Sequence, residues 1–517
     1  MSDAQKRIVV IGAGIGGLAA ALRLSHAGHQ VTVLESHEHP GGKIRTLATK
    51  AGPADAGPTV LTMRHVFDTL FNKVGERLDA HLTLLPLAVL ARHFWPDGTR
   101  LDLSADQEQS VENIRQGFGQ TSANEFVHFS ERAKRLFEAF EAPMMQAAEP
   151  SQWTLTARVL REPSLIRAMA PHQSLQAALQ SHFSDPRLQQ LFGRYATYVG
   201  GMPGQSPALL SLIWHAEATG VWSIAGGMHR LARAIAGLAE ARGAVFRYGT
   251  KAQQITVRNK SVVSVACDAG DYPADIVLFN GDPRAVQVGA LGKEVRSAVP
   301  AASVAPRSLS ANVYAFAARP SGLPLAHHNV FFSDGVNAEF RQLDRNQKVS
   351  DPTLYVCAQD AGQSHAGALQ RFEIIMNAAS TQHTEDEEKS QCQTLIFDRL
   401  ARFGLTFDPV PDPTALTTPH GFHQLFPESL GSLYGRSPAG MMAAFKRPTA
   451  RTSIRGLYLC GGGTHPGAGV PMATLSGLHA AEMILTDRTS ISTSRKTVTR
   501  GGISTASRTI TNKQSLS

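Results

Sequence analysis

Between residues 7 and 35 the hydrophobic pattern changes period twice. RIVVI reads as an apolar strand. The next stretch sets Leu18, Ala21 and Leu22 at helical spacing, and QVTVLE then alternates up to Glu35. A strand, a helix stopped at Gly28 and a second strand are therefore expected. Further along, GGMHRLARAIAGLAEARGAVFRYG predicts a helix and a strand, SVVSVACD and ADIVLFN predict strands, and a turn is expected at Asn280 to Pro283. Near the C-terminus GLYLC predicts a short buried strand. ATLSGLHAAEMIL then spaces Leu475, Leu478, Ala481 and Leu485 along one helix face, with Pro471 suited to the first turn. In FVHFSERAKRLFEAFEAPMM, Phe126, Phe129, Ala133, Leu136, Phe137 and Phe140 share a face, a stripe read as core rather than as the wall of a substrate channel.

Glycines sit where these elements meet. Gly12, Gly14 and Gly17 follow the first strand at G-x-G-x-x-G spacing. That spacing suits a tight turn, a close pyrophosphate approach and helix-to-strand packing, and Glu35 at the end of the second strand suits ribose hydroxyls. The order of strand, helix, strand and acid predicts a dinucleotide site, without separating FAD from NAD. In HPGGKIRT a second glycine pair, Gly41 and Gly42, lies beside Lys43 and Arg45, cations placed for a further phosphate oxygen. A third cluster, GGGTHPGAGVPMATLSG at 461–477, falls on a strand-to-helix loop, where backbone N–H groups can hold an anionic or electron-rich group.

With these motifs, the DAGPTVL stretch at 55–61 and the middle segments YATYVGG and GVWSIAGGM, the chain resembles the bacterial carotenoid desaturases of the phytoene-desaturase type. These belong to the larger group of flavin-dependent amine oxidase-like proteins. The resemblance runs to about residue 487 and is greatest to the branch that desaturates 1-hydroxy- or 1-methoxycarotenoids at the 3,4 bond. It implies FAD as cofactor, with the C-terminal loop, Gly461, Gly463, Gly469 and Val470 among it, passing under the flavin and its pyrophosphate, and Ala252 bringing backbone to the adenine. It also implies an α/β fold: a discontinuous Rossmann-like FAD-binding domain (1–90, 223–300 and 440–487) interleaved with an α+β substrate domain (91–222 and 301–439).

The implied reaction leaves few polar marks. A carotenoid chain offers no strong hydrogen-bonding group, so recognition falls to a long apolar channel, at about 25 cal/mol per Å² buried. Hydride loss beside a polyene leaves a delocalised cation whose neighbouring C–H is acidic, so no strong base is required. His465, Glu217 and Asp282 are positions for a proton acceptor, but each has a plain structural role too: loop hydrogen bonding, a helix surface charge and a turn. None is assigned as catalytic. With one G-x-G-x-x-G, no second nucleotide is expected, leaving oxygen or a membrane quinone to reoxidise the flavin. The competing functions are phytoene desaturation and, from another class, a non-catalytic isoprenoid-lipid escort on the same scaffold. The intact glycine loops argue against the latter.

Charge and cysteines narrow the setting. Six cations without an acid lie in 488–517, so the net charge of +8 leaves only +2 on the body. That removes the case for nucleic acid and predicts a solvated, disordered basic tail. No apolar run approaches the ~18 residues of a spanning helix. A peripheral position on the inner membrane surface, facing a reducing cytoplasm with Cys267, Cys357, Cys392 and Cys460 as free thiols, is expected. The pairs His327/His328 and His420/His423 lack partner ligands at metal spacing and read as solvent-exposed, so no metal is expected.

Overall fold

The computed structural model describes residues 5–335, 337–362, 368–380 and 386–495. Its organising element is a five-stranded parallel sheet in the order Leu457–Leu459, Ile276–Phe279, Arg7–Ile11, Gln30–Leu34, Val245–Arg247. Three of its strands are covered on both faces, which explains why residues 8–11, Ile276–Phe279 and Leu457–Leu459 are apolar at consecutive positions. Ile8 and Val10 point into a core shared with helices Ile15–His26, His229–Ala241 and Val470–Arg495. Val9 and Ile11 point the other way, against Ile255 and Val265 of an antiparallel three-stranded meander that spans Ala252–Pro273. The elements expected from the sequence in 7–35, 226–288 and 456–487 are all present.

The second body is a larger, mostly antiparallel sheet whose strands include Ser310–Ser321, Gln370–Ala378, Leu354–Ala358, His328–Phe331, Val89–Phe94 and Arg100–Ser104. A helical insert lies over it. Its main helix, Gln107–Phe140, is capped by the Asp106 carboxylate and bends at Gly119, where φ is +90°. The stripe on this helix divides. Phe126, Phe129 and Ala133 are fully buried against Phe192 and Trp214 as expected of core, whereas Phe137 and Phe140 line the large cavity described below. One periodic face thus serves both purposes, because the helix runs from the insert's interior to the cavity wall.

The segment 488–517 departs from its expectation at its start. The C-terminal helix, once anchored by Leu478, Ala480, Ala481 and Ile484, continues to Arg495. Adding residues to an existing helix is far easier than nucleating one. Residues 496–517 lie outside the described residues. Among the described residues no helix is long and apolar enough to cross a membrane, and the four cysteines are unpaired.

Candidate active site

The first strand ends at Gly12, whose φ of +98° turns the chain at the carboxyl edge of the sheet. The Gly12 N–H donates to the Leu34 carbonyl at 2.8 Å, tying the turn to the neighbouring strand. Helix Ile15–His26 then begins at Gly14 without a side-chain cap, leaving its first-turn N–H groups for an anion. A Cβ on Gly17 would lie 2.3 Å from the Gly12 oxygen, so helix and turn touch backbone to backbone. Asn280, at the end of the adjacent strand, fixes the loop from the far side. Its Nδ2 donates to Gly12 O at 3.0 Å and Gly14 O at 3.2 Å, while its Oδ1 accepts from Cys460 Sγ at 3.5 Å. The C-terminal loop closes on the same side chain: a Cβ on Gly461 would come within 2.6 Å of Asn280 Oδ1. Sequence reading placed Asn280 only in a turn, yet it is the clamp between the two glycine loops.

Glu35 is buried, with Oε2 accepting from Ala13 N–H at 2.6 Å and Oε1 from His37 N–H at 2.9 Å. Oε1 also accepts from Ser36 Oγ at 3.3 Å, so it is Oε2 that keeps a lone pair for a hydroxyl at the cavity wall. The loop of Gly41 and Gly42 runs beside Gly14, and a Cβ on Gly42 would lie 3.0 Å from the Gly14 Cα. Lys43 faces the cavity, donates to Leu433 O at 2.5 Å and stands 5.5 Å from the Phe426 ring. Burial lowers its pKa to about 8, against the pull of Asp282. Gly12, Gly14, Glu35, Gly42, Lys43, Ala252, Gly461, Gly463, Gly469 and Val470 all line one cavity, and Gly17 sits behind it in its packing role.

Arg45 does not share that wall. The turn closed by Ile44 N–H to Gly41 O, at 3.0 Å, sends the two cations apart. Arg45 donates to Thr417 Oγ1 at 2.7 Å over the Phe422 ring, and its charge faces Glu373. Asp55 of the DAGPT stretch also has a structural task that the sequence did not reveal. Its buried carboxylate accepts from Met228 N–H at 2.7 Å and His229 N–H at 3.4 Å, capping helix His229–Ala241 across 173 residues of chain.

The three positions weighed as proton acceptors fare differently. Asp282 is ion-paired with Arg307 and caps the turn through Arg284 N–H at 3.0 Å. His465 bonds the Ala147 carbonyl through Nε2 at 2.9 Å, and burial lowers its pKa, so the ring is neutral with Nδ1 as an acceptor. Glu217 is no surface charge: it is 3% exposed, lines the cavity and accepts from Tyr195 OH at 2.9 Å. Around it gathers a polar patch in the cavity wall. Arg194 donates to Tyr198 OH at 2.5 Å, and Thr59 Oγ1 lies 2.8 Å from Tyr355 OH and 3.5 Å from Glu373 Oε2. Burial, with Asp55 nearby, pushes the Glu373 carboxyl well above its ordinary range.

The pair His327/His328 also needs correction. His328 is 2% exposed in the sheet interior, opposite Cys357 in register, and Nδ1 of its ring lies 2.7 Å from Tyr355 OH. The ligand atoms of His327, His328 and Cys357 lie within 4.8 Å of one another. Spacing along the chain could not show this, because Cys357 arrives from the neighbouring strand.

The cavity, of about 880 Å³, begins at the nucleotide loops and continues past Met63, Phe137, Phe140, Met144, Leu209 and Ile213 into the helical insert. The loop end fits FAD: an uncapped helix N-terminus for the diphosphate, Glu35 for ribose hydroxyls, Ala252 on the same wall, and a glycine floor where Gly42 lies too close to Gly14 to admit a Cβ. Residues 15–485 match the family described as flavin containing amine oxidoreductase. Similar proteins include a hydroxyneurosporene desaturase of Cereibacter sphaeroides, 52% identical over 93% of this chain and 98% of its own. Another, of Rhodobacter capsulatus, carries the same name and is 50% identical over 93% and 98%. The fold is also that of cyclohexylamine oxidase from Brevibacterium oxydans, with a TM-score of 0.58 at 15% identity over 94% of this chain and 99% of that one. Glycine loops, cavity and full-length likeness agree that the chain belongs to the flavin containing amine oxidoreductases, as an FAD-dependent enzyme of their carotenoid desaturase branch.

Proposed function

We propose that the protein removes two hydrogens from an acyclic carotenoid carrying a hydroxyl on carbon 1, creating the 3,4 double bond. The observation that carries this reading is the continuity of one apolar cavity from the cofactor loops into the helical insert. Bound FAD supplies the acceptor for the hydride. The chain supplies position: Phe137, Phe140, Met144 and Ile213 give a wall without hydrogen-bonding groups, which holds a polyene by burial and excludes water. The cation left by hydride loss from carbon 4 is allylic to the polyene, and the carbon 3 proton then leaves without a strong base. FAD-loaded enzyme given 1-hydroxyneurosporene in liposomes should produce a red shift of one conjugated double bond. Stepwise conversion of colourless phytoene instead would move the protein to phytoene desaturation.

The same proposal puts the protein on the inner membrane surface as a peripheral enzyme, since its substrate lives in the bilayer. Supporting this, Trp153, Leu160 and Ile166 are 85%, 68% and 41% exposed on helices Gln152–Arg161 and Pro163–Met169. Arg158, Arg161 and Arg167 are exposed beside them. Leu155 and Leu165 hold these helices in the cluster that contains Phe137 and Phe140 of the cavity wall. Apolar side chains flanked by arginines suit insertion among anionic headgroups. Replacing both Trp153 and Leu160 with aspartate should weaken partition onto anionic vesicles by about tenfold or more, since burying one such side chain is worth roughly 1.5–3 kcal/mol. Unchanged sedimentation with vesicles would exclude this face.

A further inference from the structure

Two groups in the cavity wall have hydrogen-bonding capacity that the protein leaves unused. Arg194 is 8% exposed, and its Nη2 is engaged with Tyr198 OH while Nη1 has no partner. Glu217 is 3% exposed; its Oε1 accepts from Tyr195 OH, and Oε2, which the Tyr198 hydroxyl also faces, is left without a well-aligned donor. Both residues line the cavity. One is a donor and the other an acceptor, held on separate elements: the 3-10 segment Arg194–Val199 and helix Leu212–Ala218. Leaving such groups unpaired in an apolar interior is costly, so an arrangement of this kind points to a ligand that satisfies both.

We infer that Arg194 and Glu217 form the anchor for the substrate's terminal hydroxyl, with the guanidinium Nη1 donating to the alcohol oxygen and Glu217 Oε2 accepting a hydrogen bond from the intact O–H. This rests on the hydroxycarotenoid reading above and narrows it. An alcohol is one donor and one acceptor, and matches the pair in a single group. A methyl ether keeps the acceptor and loses the donor, so it pairs with Arg194 alone. A plain hydrocarbon end leaves both unpaired, and a site built to bond a hydroxyl rejects analogues lacking it by up to about 10⁴–10⁵.

The location suits the reaction as well. Carbon 1 and carbon 4 are three bonds of about 1.5 Å apart, so whatever holds the hydroxyl must lie close to where the hydride leaves. The anchor and the cofactor loops share one cavity wall: Arg194, Tyr198 and Glu217 line it together with Tyr355, whose hydroxyl is 2.8 Å from Thr59 Oγ1. Thr59 is two residues beyond Gly57, where a Cβ would fall 1.9 Å from the Lys43 carbonyl oxygen. Neither Arg194 nor Glu217 belongs to a motif that marks the nucleotide site, and the two are 23 positions apart in the sequence.

The test compares full-length, FAD-loaded wild type and the isosteric variant Glu217→Gln on 1-hydroxyneurosporene, its methyl ether and neurosporene in liposomes. Binding to the same proteins without FAD is read separately by quenching of tryptophan fluorescence. Wild type should prefer the alcohol over neurosporene by at least 100-fold in kcat/KM, with the ether between them. Glu217→Gln should shrink that preference at least tenfold, mainly through KM, and weaken binding of the alcohol in the quenching assay to match. Arg194→Lys, which keeps the charge and loses the fork, should shrink the margin of the ether over neurosporene. A loss shared equally by all three substrates would overturn the anchor and leave both residues as structural groups. Wild type that desaturates none of the 1-hydroxylated substrate would overturn the underlying reading, and the anchor with it.

Discussion

Gly477→Ala is expected to cost the protein its cofactor and much of its stability. A Cβ there would lie 2.0 Å from the Gly16 carbonyl oxygen and 2.8 Å from its carbon. Gly16 belongs to the helix that follows the first glycine loop, and Gly477 to the helix that follows the last. These two helices meet through backbone, so no side chain can rotate away. The C-terminal helix has to retreat by about 1 Å, which opens the core around Leu18, Ala21, Leu478 and Ala481 and pulls Gly461 from Asn280. Overpacking usually costs about 1–3 kcal/mol, and a backbone neighbour places this case at or above the upper end. Purified variant should elute colourless and melt several degrees lower. Gly237→Ala is the control: an exposed helical glycine with nothing within 4 Å of its added Cβ, expected to be neutral or stabilising by up to about 1 kcal/mol. A Gly477→Ala protein that retains FAD and melts like wild type would show that the two helices are not held this closely.

Asn280→Asp should be nearly as damaging to FAD binding while changing shape very little. The amide now donates to Gly12 O and Gly14 O, at 3.0 and 3.2 Å. A carboxylate would face both carbonyls without a proton to give, and would add negative charge behind the loop that receives a diphosphate. An unpaired buried polar group costs about 1–3 kcal/mol, and more when charged. FAD affinity should fall at least about 100-fold, which is roughly 2.7 kcal/mol. The dissociation constant can be followed by flavin fluorescence, with retention of secondary structure as the check on folding. An affinity within threefold of wild type would remove Asn280 from the cofactor site.

Both positions illustrate what could be read from the sequence. The strand from Arg7 to Ile11, the glycine spacing and Glu35 are local signals, each set by the geometry of one βαβ unit, and they stand where expected. The C-terminal loop was legible for the same reason. Asn280, by contrast, acts on residues 266 and 268 positions away, and Asp55 caps a helix 173 positions away. No periodicity records such pairings. Glu217 looked like a helix surface charge because its helix neighbours do not reveal that the insert folds over it. Arg45 followed the logic of its neighbour Lys43, yet a single turn separated the two. Sequence reading also gave the aromatic stripe one role, where the far end of the same helix, at Phe137 and Phe140, has another.

The most direct measurement is the mass of the product formed by FAD-loaded enzyme from 1-hydroxyneurosporene in liposomes. Hydride removal at carbon 4 and proton loss at carbon 3 should give a product lighter than the substrate by two hydrogens, with its new double bond at the 3,4 position and every oxygen retained. A product heavier by one oxygen, or an unchanged carotenoid recovered from enzyme that holds its flavin, would contradict 3,4-desaturation of a 1-hydroxycarotenoid as the activity of this protein.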